Sequence, residues 1–338
     1  MRPNKYNQRG LSLIELMIAM VLALVVIAAV IEIFLGARQM YRVQDANARI
    51  QENGRYAMQV LTNGILDAGY FGCATRSGVA VNNTLNTPNN YLWNFETAIE
   101  GKEATGNNNW TPAMDAAITQ PLSGSDVLTI RAINEPTIQV TQHPGGTPPG
   151  SANIQVNANN GLERFDIVMV TDCLDAAIFQ ITSANPNTSG SLAHNTGNGT
   201  PGNATTELGK NYEDGWINKI ETTSFYIRNN PRGIQALYRR QGNNNAEELI
   251  EGVESMQLRY GVDDDLDGSA DRYLTANAVA DWGDVVSVQF ELLLFSLEDN
   301  LRVDGPQTYF FNGTNTTAAD NRIRSVFSRT VTLRNRVP

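Results

Sequence analysis

The sequence has few histidines, cysteines and basic residues, and these shortages narrow the possible functions. Its 338 residues include two histidines and two cysteines, and 35 Asp and Glu outnumber 25 Lys and Arg, which gives a formal charge of −10. The first ten residues carry three positive charges and no negative one, so the rest of the chain has a charge of −13. Such an acidic body is poorly suited to bind nucleic acid, and we predict no nucleic-acid partner.

Motifs typical of catalysis are also missing from the sequence. It contains no Gly-x-Ser-x-Gly, phosphate-binding loop, His-x-x-x-His or Cys-x-x-Cys pattern. His143 and His194 both lie in segments rich in Gly, Pro and Asn, which predicts mobile surface positions for them. We therefore predict that the protein is not an enzyme.

One long apolar run stands near the N-terminus. Residues 11–31 include only two polar side chains, Ser12 and Glu15, and as a helix they span about 31 Å, close to the thickness of a bilayer's hydrocarbon core. Three basic residues and no acidic one precede the run, which predicts a cytoplasmic tail and a body beyond the membrane. A secretory signal peptide fits less well, because no small-x-small cleavage site closes the run before Glu32.

The helical pattern continues past the membrane segment. Apolar residues recur at spacings of three and four from Val43 to Ile65, and no proline occurs between residues 4 and 87. These features predict one helix from about Ser12 to about Asp67. We expect residues 11–36 to form a transmembrane and assembly segment and residues 37–68 to pack on a soluble head.

The remaining residues, 69–338, predict a β-rich head. Short stretches rich in β-branched residues and bounded by turn formers read as strands, at residues 125–133, 164–173, 176–182, 222–229, 234–240, 254–262, 285–295 and 325–335. Together with the long helix they predict an α+β fold, a helix packed on an antiparallel sheet. The Asn- and Gly-rich segments at about 143–163 and 185–206 predict exposed loops.

The two cysteines, Cys73 and Cys173, admit two interpretations. In an exported domain a single pair is more often a disulfide than a metal or redox site, and two free buried thiols are the alternative. A bond between them would close a loop of about 100 residues, which the chain-entropy model values at about 4.7 kcal/mol.

The N-terminal sequence "QRGLSLIELMIAM" resembles the class III signal of type IV prepilins and pseudopilins. It combines a short basic leader, Gly10, a glutamate five residues later at Glu15, and a lipid-length apolar run. The resemblance implies that a membrane prepilin peptidase cuts after Gly10, releasing residues 1–10, and methylates the new N-terminus at Leu11. Most members have Phe where this chain has Leu11.

Glu15 has a physical role that agrees with this resemblance. A charged side chain at the bilayer centre costs roughly 2.5–3.5 kcal/mol on insertion scales, so an unpaired carboxylate there takes up a proton or meets a cation. A carboxylate is also favourable in the first turn of a helix. The resemblance implies that Glu15 meets the N-terminal amine of a neighbouring subunit during assembly. The alternative is a glutamate that only reaches the membrane interface.

The body of the chain resembles the PilW family of minor pilins. The stretches that carry the likeness are residues 66–73, 123–132, 165–173, 236–240, 247–268 and 324–336. Both cysteines lie inside these stretches, so the resemblance favours a Cys73–Cys173 disulfide.

The resemblance implies a role in assembly. PilW-like proteins are expected to join other minor pilins in a complex that initiates pilus growth and remains at the tip with a PilY-like adhesin. The expected partners also include the major pilin, through the N-terminal helix. The expected location is the inner membrane of a Gram-negative bacterium, with a periplasmic head, and then the pilus tip, where such pili serve adhesion and twitching motility. The alternatives are a GspJ-type pseudopilin of a type II secretion system and a tip adhesin or receptor subunit.

The segment "VDDDLDGSADRY" has the composition of a metal site. Its residues match the first nine positions of an EF-hand loop, in which hard oxygen ligands favour Ca²⁺. The twelfth position is Leu274 rather than the usual bidentate Glu, so Asp264 or water would complete the ligand shell. A solvated acidic turn is the alternative. The predicted ligands are Asp263, Asp265, Asp267, the Ser269 carbonyl and Asp271.

Overall fold

A computed structural model describes residues 12–75, 80–145 and 151–335. The leader peptide at residues 1–10, the cleavage site at Gly10 and the methylation site at Leu11 lie outside the described residues, and so does the middle of the first Asn-rich segment.

One helix dominates the N-terminal part of the chain. Helix α1 spans Leu13–Asp67, 55 residues, with the bounds that the apolar spacing predicts. Ser12 caps it, because its Oγ accepts a hydrogen bond from the Glu15 amide at 3.3 Å. At the other end the Ala68 amide donates to the carbonyls of Gly64 and Ile65, and the chain then turns at Gly69, whose φ is 72°.

The head consists mainly of strands, joined by turns and a four-residue helix, α2, at Pro186–Ser189. Short 3-10 turns lie at Gly72–Thr75, Ala276–Ala278 and Trp282–Asp284. In the described part of the chain the strands, numbered β1 to β17 in order, are Ala80–Asn83, Ile99–Gly106, Asn109–Thr111, Val127–Gln142, Asn153–Val156, Ile167–Thr171, Asp175–Gln180, Ser191–Ala193, Trp216–Asn229, Gln235–Gln241, Glu247–Glu251, Val253–Val262, Arg272–Leu274, Val285–Phe295, Thr308–Phe311, Thr314–Thr317 and Arg324–Thr332.

Two sheets and a hairpin make up the head. The large sheet has the order β1-β7-β6-β9-β4-β2-β3, with β10 and β11 extending from β9 and with β5 and β8 extending from β4. The smaller sheet has the order β13-β12-β14-β17, and β15 pairs with β16. The pairs are antiparallel except β1 with β7. Each predicted strand is present, and the predicted α+β fold, a long helix followed by an antiparallel head, is confirmed.

The C-terminal half of α1 shares one core with both sheets. Its buried residues recur at spacings of three and four, as predicted: Ala46, Ile50, Gly54, Ala57, Leu61 and Ile65. Four of them, Ile50, Ala57, Leu61 and Ile65, join a cluster that includes Phe225 of the large sheet and Phe290 of the small sheet. Because the helix contacts both sheets, it fixes their positions relative to each other.

A separate core is formed by residues of β4 to β9. It includes Ile154 of β5, Leu192 of β8 and Phe179 of β7, all fully buried. Strands β5 and β8 come from the two Asn- and Gly-rich segments, and Ile154 pairs directly with Leu192. The prediction that these segments are exposed loops is therefore wrong for their central parts, because each contains one short strand whose apolar side chains reach this core.

Candidate functional site

The N-terminal half of α1 is not covered by the head. Every residue from 12 to 38 is exposed, including the apolar ones, and an 18-residue window of the helix has a mean hydropathy of 3.0. By length and composition this helix can cross a membrane. Glu15 lies exposed in its first turn, where a carboxylate favours the helix N-terminus. Its predicted pairing with a neighbouring subunit's amine stays a prediction.

The predicted disulfide between Cys73 and Cys173 is present. The two Cα atoms lie 5.0 Å apart, and the residues are 100 positions apart in sequence. Cys73 lies in the turn that follows α1, and Cys173 lies in the turn between β6 and β7. The bond therefore ties the exit of the long helix to the large sheet.

The turn around Cys173 is held by further polar contacts. The Cys173 amide donates to the Thr171 hydroxyl, and Asp172 accepts hydrogen bonds from the amides of Leu174 and Asp175. Partial burial acts to raise the pKa of Asp172, but Lys210, 2.6 Å from its carboxylate, and the amides of Asp175 and Leu174 together lower it.

The acidic loop connects β12 to β13. Carboxylate oxygens of Asp263, Asp265 and Asp267 lie within 4.8 Å of one another, and Asp263 is nearly buried while the other two are exposed. Asp263 accepts the amide of Gly268 at 2.8 Å, and Asp267 accepts the amide of Ser269 at 2.7 Å. Gly268 has a φ of 89°, so the glycine at the sixth place is required by the backbone.

The structure brings together only part of the predicted ligand set. Asp271 uses one carboxylate oxygen to accept the Asp264 amide at 2.7 Å, and Asp271 is not part of the three-carboxylate group. Asp264, which was expected to complete the shell if water does not, pairs through its carboxylate with the Arg272 guanidinium at 2.8 Å, and its role as a ligand stays a prediction. Leu274 lies in β13, where it pairs with Tyr260.

Three converging carboxylates are hard oxygen donors, which suit Ca²⁺ better than a softer metal. Their mutual repulsion is visible in Asp265, whose pKa is raised mainly by the charge of Asp267. A divalent cation held by Asp263, Asp265 and Asp267 would remove this repulsion. The residues therefore fit a calcium ion, with fewer protein ligands than a complete EF-hand loop supplies.

The two histidines are buried, and the prediction that they are mobile surface residues is wrong. His143 and His194 are 3% and 1% exposed, and their ring centroids lie 6.4 Å apart. His143 directly follows β4, where its Nδ1 accepts the Tyr212 amide at 3.0 Å. His194 directly follows β8 and packs against Phe179 with ring centroids 4.9 Å apart. The polar sequence around β8 and the end of β4 carries no alternation long enough to predict these strands.

A contact between α1 and the loop at residues 297–305 was not predicted. Gln39 donates from Nε2 to the Leu301 carbonyl at 2.7 Å, and the Arg42 guanidinium lies 3.0 Å from the Glu298 carboxylate. Gln39 is the first helix residue that the head partly covers. The sequence carries no local signal for this contact, because the partners are more than 250 residues apart.

Comparison with protein families gives two matches. Residues 5–31 match the prokaryotic N-terminal methylation motif, and residues 224–335, about a third of the chain, match the family described as type IV pilus-assembly protein W. In these two ranges the chain is similar to a PilW-like pilin with a prepilin signal. Both matches support a minor pilin of a type IV pilus, and the PilW pilin family is structural rather than catalytic.

The PilW-like match covers β10 to β17 and the end of β9, and thus the whole of the small sheet. The likeness of residues 66–73, 123–132 and 165–173 falls outside the matched ranges and stays a prediction. Searches of curated proteins and of solved structures gave no match for this chain.

Proposed function

We propose that this chain is a minor pilin that takes part in initiating type IV pilus assembly and forms part of a tip complex. The observation that carries the proposal is the combination of a prepilin-type N-terminus with a long exposed helix whose second half is fixed to a PilW-like sheet. Such a helix can leave the bilayer only if other apolar surfaces cover it, and the helices of other pilins are suitable surfaces.

The proposed partners follow from this arrangement. The prepilin peptidase cuts after Gly10 and methylates Leu11. The exposed half of α1 then packs against other minor pilins and the major pilin, and Glu15 pairs with the amine of a neighbouring N-terminus. The head, on the periplasmic side of a Gram-negative inner membrane, contributes to a tip complex with a PilY-like adhesin.

A substitution at Glu15 tests the assembly role. Glu15→Val should insert into the membrane more readily but support fewer surface pili, because the carboxylate that attracts the neighbouring amine is lost. Glu32→Val is the matched control, since it removes a second exposed glutamate from the same helix, 17 residues further along. Surface pili are counted in cells with equal amounts of each variant. Normal piliation with Glu15→Val would contradict the proposed role.

Deletion of the chain separates the alternatives. If the chain is an assembly component, its deletion should abolish surface pili. If it is a tip adhesin or receptor, its deletion should leave pili that fail to bind. A GspJ-type pseudopilin should instead block the secretion of exported enzymes and leave pili in place.

We also propose that the acidic loop binds Ca²⁺ with a structural role. Asp263, Asp265 and Asp267 would hold the ion, and the Ser269 carbonyl and Asp271 are the further ligands proposed from the loop pattern. The ion would supply the charge that allows three carboxylates to remain close together. The affinity expected for such a site is that of extracellular calcium modules, about 10⁻⁴–10⁻³ M.

A further inference from the structure

The loop at residues 297–305, here named the foot loop, is the part of the head that contacts α1 closest to its N-terminus. Helix residues 12–38 are all exposed, and Gln39 is the first that the head partly covers. The foot loop covers the helix here. Gln39 donates a hydrogen bond to the Leu301 carbonyl at 2.7 Å, and Arg42 forms an ion pair with Glu298 at 3.0 Å. The position of the foot loop along the helix is therefore known to within one turn.

That position corresponds to the edge of the apolar segment. The last large apolar residue of the segment is Leu35, and Gln39 follows four residues later, which is about 6 Å along a helix. The polar headgroup layer on each side of a bilayer is about 5–8 Å thick, since the whole bilayer is about 40–45 Å and its hydrocarbon core about 30 Å. If the hydrocarbon core ends at Leu35 rather than at Ile31, the last residue of the uninterrupted apolar run, Gln39 and the foot loop lie at headgroup level.

The foot loop carries one apolar side chain that the head does not cover. Val303 is 82% exposed, although Leu301, two residues earlier, is buried at 2%. The loop is braced on both sides of Val303, because the Arg302 amide donates to the Asn321 carbonyl and Arg302 Nε donates to the Gly305 carbonyl at 3.0 Å. On α1, Met40 and Tyr41 are also exposed, at 64% and 71%. Tyr is a typical residue of the membrane interface.

We propose that the foot loop rests in the headgroup layer of the membrane that α1 spans, with Val303 in contact with lipid. The occupant of this surface is the lipid bilayer, because the surface is continuous with the membrane segment of the same helix. The head would then be fixed on the membrane at two points, the helix and the foot loop, before the subunit enters a filament. This inference rests on the membrane-spanning role of α1 given above.

The acidic loop provides a matched control for Val303. Leu266 is an apolar side chain of similar exposure, 75%, in the loop after β12. The foot loop follows β14, and β12 and β14 are antiparallel, so that Val253 pairs with Leu294 and Val262 pairs with Val285. The two loops thus lie at opposite ends of one sheet. The ten residues of β12 separate them by about 33 Å.

The test places an environment-sensitive fluorophore at single positions of the full-length chain in vesicles. The variants are Val303→Cys, Leu266→Cys and Met40→Cys, labelled without reduction so that the Cys73–Cys173 disulfide stays intact. The vesicles contain phosphatidylethanolamine, phosphatidylglycerol and a lipid with a spin label on its headgroup. Met40→Cys reports whether the helix itself reaches headgroup level. Iodide is added to the water in a second measurement, because it quenches only labels that are exposed to water.

We expect the label at residue 303 to shift its emission to the blue and to lose fluorescence to the spin label as strongly as the label at residue 40. The label at residue 266 should be quenched by iodide alone. Quenching by lipid at residue 40 but not at 303 would overturn the foot-loop proposal, leave the membrane anchor intact and free the loop for a neighbouring pilin. Lipid quenching at all three positions would also overturn it, since the whole head would then lie on the membrane. Quenching by lipid at none of them would reject the membrane position of α1 itself.

Discussion

The ring of Phe327 occupies the space that a side chain at Gly54 would need. A Cβ added to Gly54 would overlap the outer carbon atoms of this ring. Gly54 lies on the buried face of α1, and Phe327 lies on β17, the edge strand of the small sheet. The absence of a side chain at residue 54 therefore allows the helix and the sheet to approach closely.

We predict that Gly54→Ala destabilises the protein although alanine favours helices. Alanine in place of glycine gains about 1 kcal/mol of helix propensity, but overpacking against Phe327 costs about 1–3 kcal/mol. The expected net result is a loss of roughly 1 kcal/mol in the free energy of unfolding, measured by denaturant titration in detergent.

Phe327→Leu supplies the control for this prediction. In that background the ring is absent, so adding Gly54→Ala should stabilise the protein by up to about 1 kcal/mol. If Gly54→Ala has the same effect with and without the ring, close contact with Phe327 is not the reason for the glycine.

Replacing both Cys73 and Cys173 by Ser should lower the free energy of unfolding by about 2–5 kcal/mol. The reason is that the bond joins residues 100 positions apart and so restricts a large part of the unfolded chain. The measurement is thermal or denaturant unfolding with and without a reducing agent. The reducing agent should shift the transition of the native chain to the value of the variant and leave the variant unchanged. A native chain that is insensitive to reduction would show that the bond adds no stability.

The long helix and the main strands could be predicted from the sequence because their signals are local. The apolar spacing from Val43 to Ile65 gave the buried face of α1, and alternation along residues 285–295 gave β14. The resemblance to known pilins gave the prepilin signal, which no spacing rule alone would identify.

The pairing of β5 with β8 could not be predicted in the same way. Ile154 and Leu192 are almost the only large apolar residues of their segments, and they pair across 38 positions of sequence. Alternation over three or four residues is too short to indicate a strand among so many Asn and Gly residues. His194 directly follows β8, and His143 follows the part of β4 beyond the predicted strand at 125–133, so the sequence did not predict that either ring is buried.

We predict that His194 makes the protein sensitive to mild acid. Burial lowers the pKa of His194 to about 4, from an ordinary value of 6.5, and the nearby His143 adds to this effect. Among the described residues neither ring nitrogen has a hydrogen-bond partner, although the nearby Leu192 and Thr206 carbonyls favour the protonated form. His194 has a lower pKa in the folded state than in the unfolded state. The contribution of its neutral ring to the free energy of unfolding is therefore fully present above pH 6.5 and is lost as the pH falls towards 4.

Between pH 6.5 and 4 the free energy of unfolding should fall by about 3 kcal/mol because of His194. In His194→Phe this part of the pH dependence should be absent. The measurement is denaturant unfolding of both proteins at several pH values, taken as the difference between them. The difference isolates His194 from Asp126, whose pKa is raised to about 7, mainly by burial and also by the charge of Glu103. The contribution of Asp126 to the free energy of unfolding is fully present below pH 3.8 and is lost as the pH rises through 7. Its pH dependence is thus opposite to that of His194. A difference that does not change with pH would contradict the prediction for His194.

We predict that calcium binding by the acidic loop depends on Asp263, Asp265 and Asp267 and does not require Asp264. Calorimetric titration of the full-length chain in detergent should show binding at about 1 mM calcium or below. Asp265→Asn together with Asp267→Asn should abolish the binding, because two of the three converging carboxylates are lost. Asp264→Asn also removes one negative charge from the loop. Because the Asp264 carboxylate pairs with Arg272, calcium binding should persist in this variant. If the Asp264 variant loses binding as fully as the double variant, the three converging carboxylates do not hold the ion without Asp264. If the native chain gives no heat, the acidic loop is a solvated turn.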